Sequence, residues 1–130
     1  MKSNLMQWLG FEVDQYKLAI PLGLVASVFY SPPNPEAQKN PYGLEVHEGA
    51  PIFLLPPERL LVWGFESTQA LLQNRVLPWV IVLKTNEDAS VGFRVEKTFG
   101  PFEAPLNIDR TVRYGDQELI AVNPVEELHV

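Results

Sequence analysis

The sequence contains no cysteine, which removes disulfide staples, thiolate-bound zinc and cysteine nucleophiles together. Core packing is left to supply the stability. Basic residues are also scarce, with 10 Lys and Arg against 16 Asp and Glu and a formal charge of -6. A surface so short of positive charge suits neither nucleic acid, whose phosphates need a basic face, nor an anionic membrane. No uninterrupted apolar stretch approaches the roughly 18 residues of a spanning helix, so no direct membrane insertion is expected. The opening MKSNLMQWLGFEVDQ lacks the basic, apolar and small-residue regions of a signal peptide, which predicts a protein that stays in the cytoplasm.

Chemistry-bearing clusters are equally sparse. Of the two histidines, His129 stands next to the last residue and His47 on a turn-like segment, and no Asp/Glu/His cluster at helical or hairpin spacing joins either. Ser67, in GFEST, has neither flanking glycines nor a histidine partner, and no glycine-rich phosphate loop is present. Glu58 and the pair Glu126-Glu127 follow prolines, where carboxylates cap helical turns and complement their dipoles. These features predict a protein without cofactor or metal that is not an enzyme.

What the sequence has is proline, 12 residues, and short apolar runs between turn signals, in a chain of 130 residues that is 46% hydrophobic and 20% charged. That composition fits one globular all-β domain better than long helices. Leu9, Phe11 and Val13 recur every second residue, as do Tyr16, Leu18 and Ile20 after the polar break Asp14-Gln15, which predicts a hairpin. Pro21 ends that strand or starts one helical turn. LVASVF, Leu24 to Phe29, precedes SPPNPEAQKNP, whose four prolines mark a loop. GLEV, Gly43 to Val46, and PIFLL, Pro51 to Leu55, form a second hairpin around His47-Glu48-Gly49-Ala50. Pro56 to Leu61 reads as a short helix and the segment after it as a connection. PWVIVLKT, Pro78 to Thr85, reads as a buried strand, and SVGFRVEKTF alternates Val91, Phe93 and Val95 inward. A last hairpin turns at Tyr114-Gly115-Asp116-Gln117 and carries the apolar strand Leu119 to Val122, before Pro124 to Leu128.

The two halves of the chain repeat this order. WLGFEVDQYKLAIPLGLVASVF parallels WVIVLKTNEDASVGFRVEKTF, and GAPIFLLPPERLL parallels GDQELIAVNPVEEL. The predicted halves are about 5–62 and 77–129, with Trp8 and Trp79 buried at equivalent positions. Each half alone would bury too little apolar surface, so the two are expected to share a core.

In the same order, these segments resemble the CheW-like adaptor domains. WLGFEVDQYKLAIPLGLVASVF is similar to the family's first hairpin, and GLEVHEGAPIFLL to its segment carrying an Asn-Leu-Arg-Gly turn before an apolar strand. ASVGFRVEKTF resembles its glycine-to-Val-Asp run, and QELIAVNPVEEL its closing strand and helical turn. The resemblance implies two intertwined five-stranded β-barrels with an apolar groove between them and short helical turns, in one domain covering residues 1–130. It implies no catalysis, and as partners a CheA-like histidine kinase and the cytoplasmic tip of a chemoreceptor in chemotaxis or surface motility. The partner-binding residues it points to are Val46, His47, Glu48 and Gly49, to which Trp63 is added as an aromatic anchor. Two departures stand out: Glu48 occupies the place of the family's turn arginine, inverting its charge, and the connection from Gly100 to Arg110 is short. A competing reading is a β-barrel binding a small ligand or effector, with Tyr42, Trp63 and Phe65 lining its pocket.

Overall fold

The computed structural model describes residues 5–13, 16–31, 43–54, 61–62, 77–85 and 90–124, and nearly all of them lie in strands. Strand β1, Leu5–Val13, pairs antiparallel with β2, Tyr16–Pro21, setting Phe11 opposite Leu18 and Val13 opposite Tyr16. Pro21 both closes β2 and precedes a 3-10 turn at Leu22–Leu24, since its fixed φ suits a helical start but interrupts a ladder. Then come β3, Val25–Tyr30, and the hairpin of β4, Gly43–His47, with β5, Ala50–Leu54. Strand β6 is the two-residue segment Leu61–Val62, so the short helix expected to end at Leu61 does not include that residue, and its remainder lies outside the described residues.

The second part of the chain supplies β7, Trp79–Leu83, and β8, Ser90–Val95, paired antiparallel. After a bend at Glu96 it continues as β9, Lys97–Pro105, then as the hairpin of β10, Thr111–Tyr114, with β11, Gln117–Ala121, and ends the described chain in β12, Asn123–Pro124. Half of the connection expected from Gly100 to Arg110 is therefore strand. Pro101 and Pro105 disguise it, but β9 lies at a sheet edge, where a missing N–H breaks no ladder.

Among the described residues the strands form two five-stranded sheets, ordered β10-β11-β2-β1-β9 and β3-β7-β8-β5-β4, with β6 paired to β12. Each sheet takes strands from both parts of the chain. β3 leaves β2 to pair with β7, and β9 leaves β8 to pair with β1. β11 runs parallel to β2, and β5 parallel to β8.

Both sheets put one face on a shared core. Leu9, Phe11, Val13, Leu18 and Ile20 from the first meet Ile81, Leu83, Phe93 and Val95 from the second. The rings of Phe11 and Phe93 are 5.4 Å apart at 59°, a tilted contact that adds to their burial. The inward alternation expected for Phe93 and Val95 is observed. On its other face the first sheet curls around Trp8, Ala19, Ala104, Val112, Leu119 and Ala121, so that all five strands contribute to one cluster. The second curls around Ile52, Leu54, Val80 and Val82. Five-stranded barrels are realised only to this extent. The edge strands β9 and β10 of the first sheet approach one another but share no ladder, so the sheet is curled and open.

The tryptophans correct one expectation. Trp8 is 1% exposed and its Nε1 donates to the Ala104 carbonyl at 2.9 Å, whereas Trp79 is only partly buried and packs on the shared core beside Tyr30. The ladders place Val80, not Trp79, where Trp8 stands. Counted from the closing pairs Tyr114–Gln117 and His47–Ala50, Ala121 and Leu54 correspond, and they lie beside Ala19 and Gly92. These pair with Gly10 and Val82, and Trp8 and Val80 each lie two residues before. Two similar-looking apolar strands were thus aligned one residue out of register, which moves a side chain to the opposite face.

Arg94 is the one buried charged side chain among the described residues, at 5% exposure. It lies on β8 with the opposite parity to Phe93 and Val95, where simple alternation predicts solvent. Its Nη1 donates to the carbonyls of Ser31 at 2.7 Å and Leu77 at 3.0 Å, so the guanidinium ties the end of β3 to the entrance of β7.

Candidate functional site

The hairpin of β4 and β5 brings together most of the residues singled out from the sequence. Its ladder closes at His47 and Ala50, leaving Glu48 and Gly49 as a two-residue turn. Their φ values, 55° and 82°, are both positive, the sign pattern of a type I′ turn, which follows the twist of the flanking strands. Glycine takes this conformation freely, while a glutamate accepts it at a cost of roughly 1 kcal/mol or more. Glu48 is exposed, as expected, and it is held there by the turn.

Val46 is 61% exposed and stands opposite Pro51, which is exposed as well. Two residues along β5, on the same face, Phe53 is 50% exposed. Phe53 pairs in turn with Val91 on β8, whose side chain packs on the shared core. The result is an apolar strip, Val46, Pro51 and Phe53, running from the buried core out to the edge strand β4, with the Glu48 carboxylate at its end. The corresponding face of the first sheet is more polar: Ile120 is paired with Thr111, and Arg113 with Glu118. Medium-sized apolar strips with a charged rim suit protein contact, and an edge strand offers backbone groups as well.

Of the five residues put forward, Val46, Glu48 and Gly49 share this surface. His47 contributes backbone pairing to the hairpin, and Trp63 lies outside the described residues, as do Tyr42 and Phe65. Phe53 was missed because PIFLL reads as a continuous buried run. Its parity held the signal, since Ile52 and Leu54 on either side are buried at 3% and 5%.

Among the described residues no group of three or more His, Asp or Glu side chains converges as a metal site. No helix there is long and apolar enough to cross a membrane.

No family model matches the sequence, and no curated protein matches it. A solved structure does: the scaffolding protein TtCheW from Thermoanaerobacter tengcongensis superposes with a TM-score of 0.51 at 12% sequence identity, over 95% of this chain and 90% of that one. At that identity the likeness speaks for the fold, which is CheW-like across nearly the whole of both chains.

Proposed function

We propose that this protein is a non-catalytic cytoplasmic adaptor that couples receptors to a CheA-like histidine kinase in chemotaxis or surface-motility signalling. The observation that carries the reading is the likeness to a scaffolding protein over almost the full length of both chains. A shared fold is a weaker warrant than a site, and the strip beside Glu48 adds a surface of suitable character. In this reading residues 1–130 act as one CheW-like unit with related halves at about 5–62 and 77–129, and the contact surface comprises Val46, His47, Glu48, Gly49 and Trp63. Glu48 stands where the resemblance puts a partner-contacting arginine, so the matching partner surface is basic instead of acidic. The protein then serves a specialised kinase or receptor, or works as an accessory beside a main coupling protein.

Glu48→Arg tests the charge inversion. Facing a basic surface, the reversed charge costs on the order of 1 kcal/mol or more once partly desolvated, so affinity for the protein's own kinase or receptor should fall about fivefold or further. Stability should hardly change, because the residue is exposed and arginine meets the same positive φ that glutamate already accepts. Titration calorimetry of both proteins with the cognate partner measures the difference. Unchanged or tighter binding would remove Glu48 from the contact and shift attention to the apolar strip.

A further inference from the structure

The open end of the first sheet holds a cleft, on a different sheet from the strip of β4 and β5. Along the concave face, the buried positions Trp8, Ala19, Val112 and Leu119 continue toward the hairpin ends as Glu12, Lys17, Tyr114 and Gln117, residues of the same strand parity. These last four, with Lys97 and Phe99 from β9, line a cavity of about 240 Å³ in the gap that β9 and β10 leave unpaired. The mouth of a curled sheet is a recurrent place for small ligands.

Its lining has three parts. The first is a charged row across the ladder: Glu12 pairs with Lys17 on one side and Lys97 on the other, with Lys97 Nζ 3.4 Å from Glu12 Oε1. One carboxylate between two ammonium groups leaves a surplus of one positive charge, in a chain whose overall charge is -6. The second is an aromatic wall, Phe99 and Tyr114, with ring centres 5.1 Å apart, and Phe102 backing Tyr114 at 4.6 Å. Gly10 makes this wall possible, because a β-carbon there would run into the Phe99 ring that crosses it. The third is neutral hydrogen-bonding capacity from Gln117 and the Tyr114 phenol.

The geometry points to a binding site for a small monoanion with one flat ring, an aromatic carboxylate, whose ring lies against Phe99 and Tyr114 and whose carboxylate meets Lys17 and Lys97. A single surplus positive charge beside Glu12 favours a monoanion over a dianion such as phosphate. The volume is below the roughly 300–1,000 Å³ of drug-sized sites, which limits the occupant to about one ring. This inference stands on the cleft alone, and its failure would leave the adaptor reading untouched.

The test is a titration of the full chain with benzoate, followed through backbone amide NMR shifts, with acetate, benzyl alcohol and inorganic phosphate as comparators. Saturable benzoate shifts should centre on Lys17, Lys97, Phe99 and Tyr114, with each comparator binding about tenfold more weakly or worse. Lys17→Gln, an exposed change that leaves the fold in place, should weaken benzoate about fivefold with an unchanged thermal midpoint. Lys17→Glu should abolish it. Shifts that do not saturate or that spread over the surface would overturn the proposal. So would benzyl alcohol or phosphate binding as well as benzoate, or Lys17→Gln binding like the wild type.

Discussion

A fragment of residues 1–76 should give no cooperative unfolding transition in urea or on heating. It would retain β1 and β2 from the first sheet but lose β9, β10 and β11, so β1 would be left without the partner on its other side and β2 without its parallel neighbour. In the second sheet it would lose β7 and β8, which lie between β3 and the hairpin of β4 and β5. The shared core would be stripped of Ile81, Leu83, Phe93, Val95 and Val122, leaving Leu9, Phe11 and Ile20 facing water. A two-stranded hairpin is marginal at best in water, and ordering each residue costs about 1–2 kcal/mol that the remaining burial cannot offset. Circular dichroism and analytical ultracentrifugation would show an expanded or aggregated chain. A sharp transition for the fragment would mean that its strands form a self-sufficient core, contrary to the interleaved sheets.

Phe93→Ala should lower unfolding free energy by about 3–5 kcal/mol, a large part of the roughly 5–15 kcal/mol typical of a small domain. Phe93 is 0% exposed, lies on β8 opposite Ile81 of β7 and beside Val95 in the shared core, and meets Phe11 of the opposite sheet. Truncating it removes apolar contacts from both sheets and leaves a cavity that neither closely packed sheet can collapse to fill. Phe53→Ala, on the same sheet but half exposed, should cost about 1 kcal/mol or less. Denaturant titration of the two variants measures the contrast. Similar losses for both would mean that Phe53 is covered in solution or that the shared core is loosely packed.

The hairpins were legible because turn chemistry and period-two alternation are local. Glu48-Gly49 and Gly115-Asp116 mark their turns directly, and Leu9, Phe11, Phe93 and Val95 show which face is buried. Strand exchange was not legible in the same way. Nothing within VASVFY says that it joins β7 instead of staying beside β2, nor does KTFGPFEAP declare itself the partner of β1. Those choices depend on which sheet has an open edge, a property of the assembled fold. Arg94 illustrates the same limit, because alternation assigns it to solvent while carbonyls 17 and 63 residues away receive its hydrogen bonds. At the candidate site, Val46, Glu48 and Gly49 came from the resemblance to a CheW-like turn, and only Gly49 marked the turn by itself. Phe53 was hidden in an apolar run, and the cleft at Glu12, Lys17 and Lys97 exists only once three strands are aligned.

The proposed role is that of an adaptor that connects a receptor to a kinase without chemistry of its own. Its most direct test is reconstitution: the organism's histidine kinase and receptor-bearing membranes, with kinase autophosphorylation followed as this protein is titrated in. The expected result is receptor control of the kinase that appears only when the protein is present, saturates at a fixed stoichiometry and accompanies its incorporation into the sedimenting complex. Kinase rates indifferent to its addition, with the protein left in the supernatant across every kinase and receptor of the organism, would contradict the adaptor function.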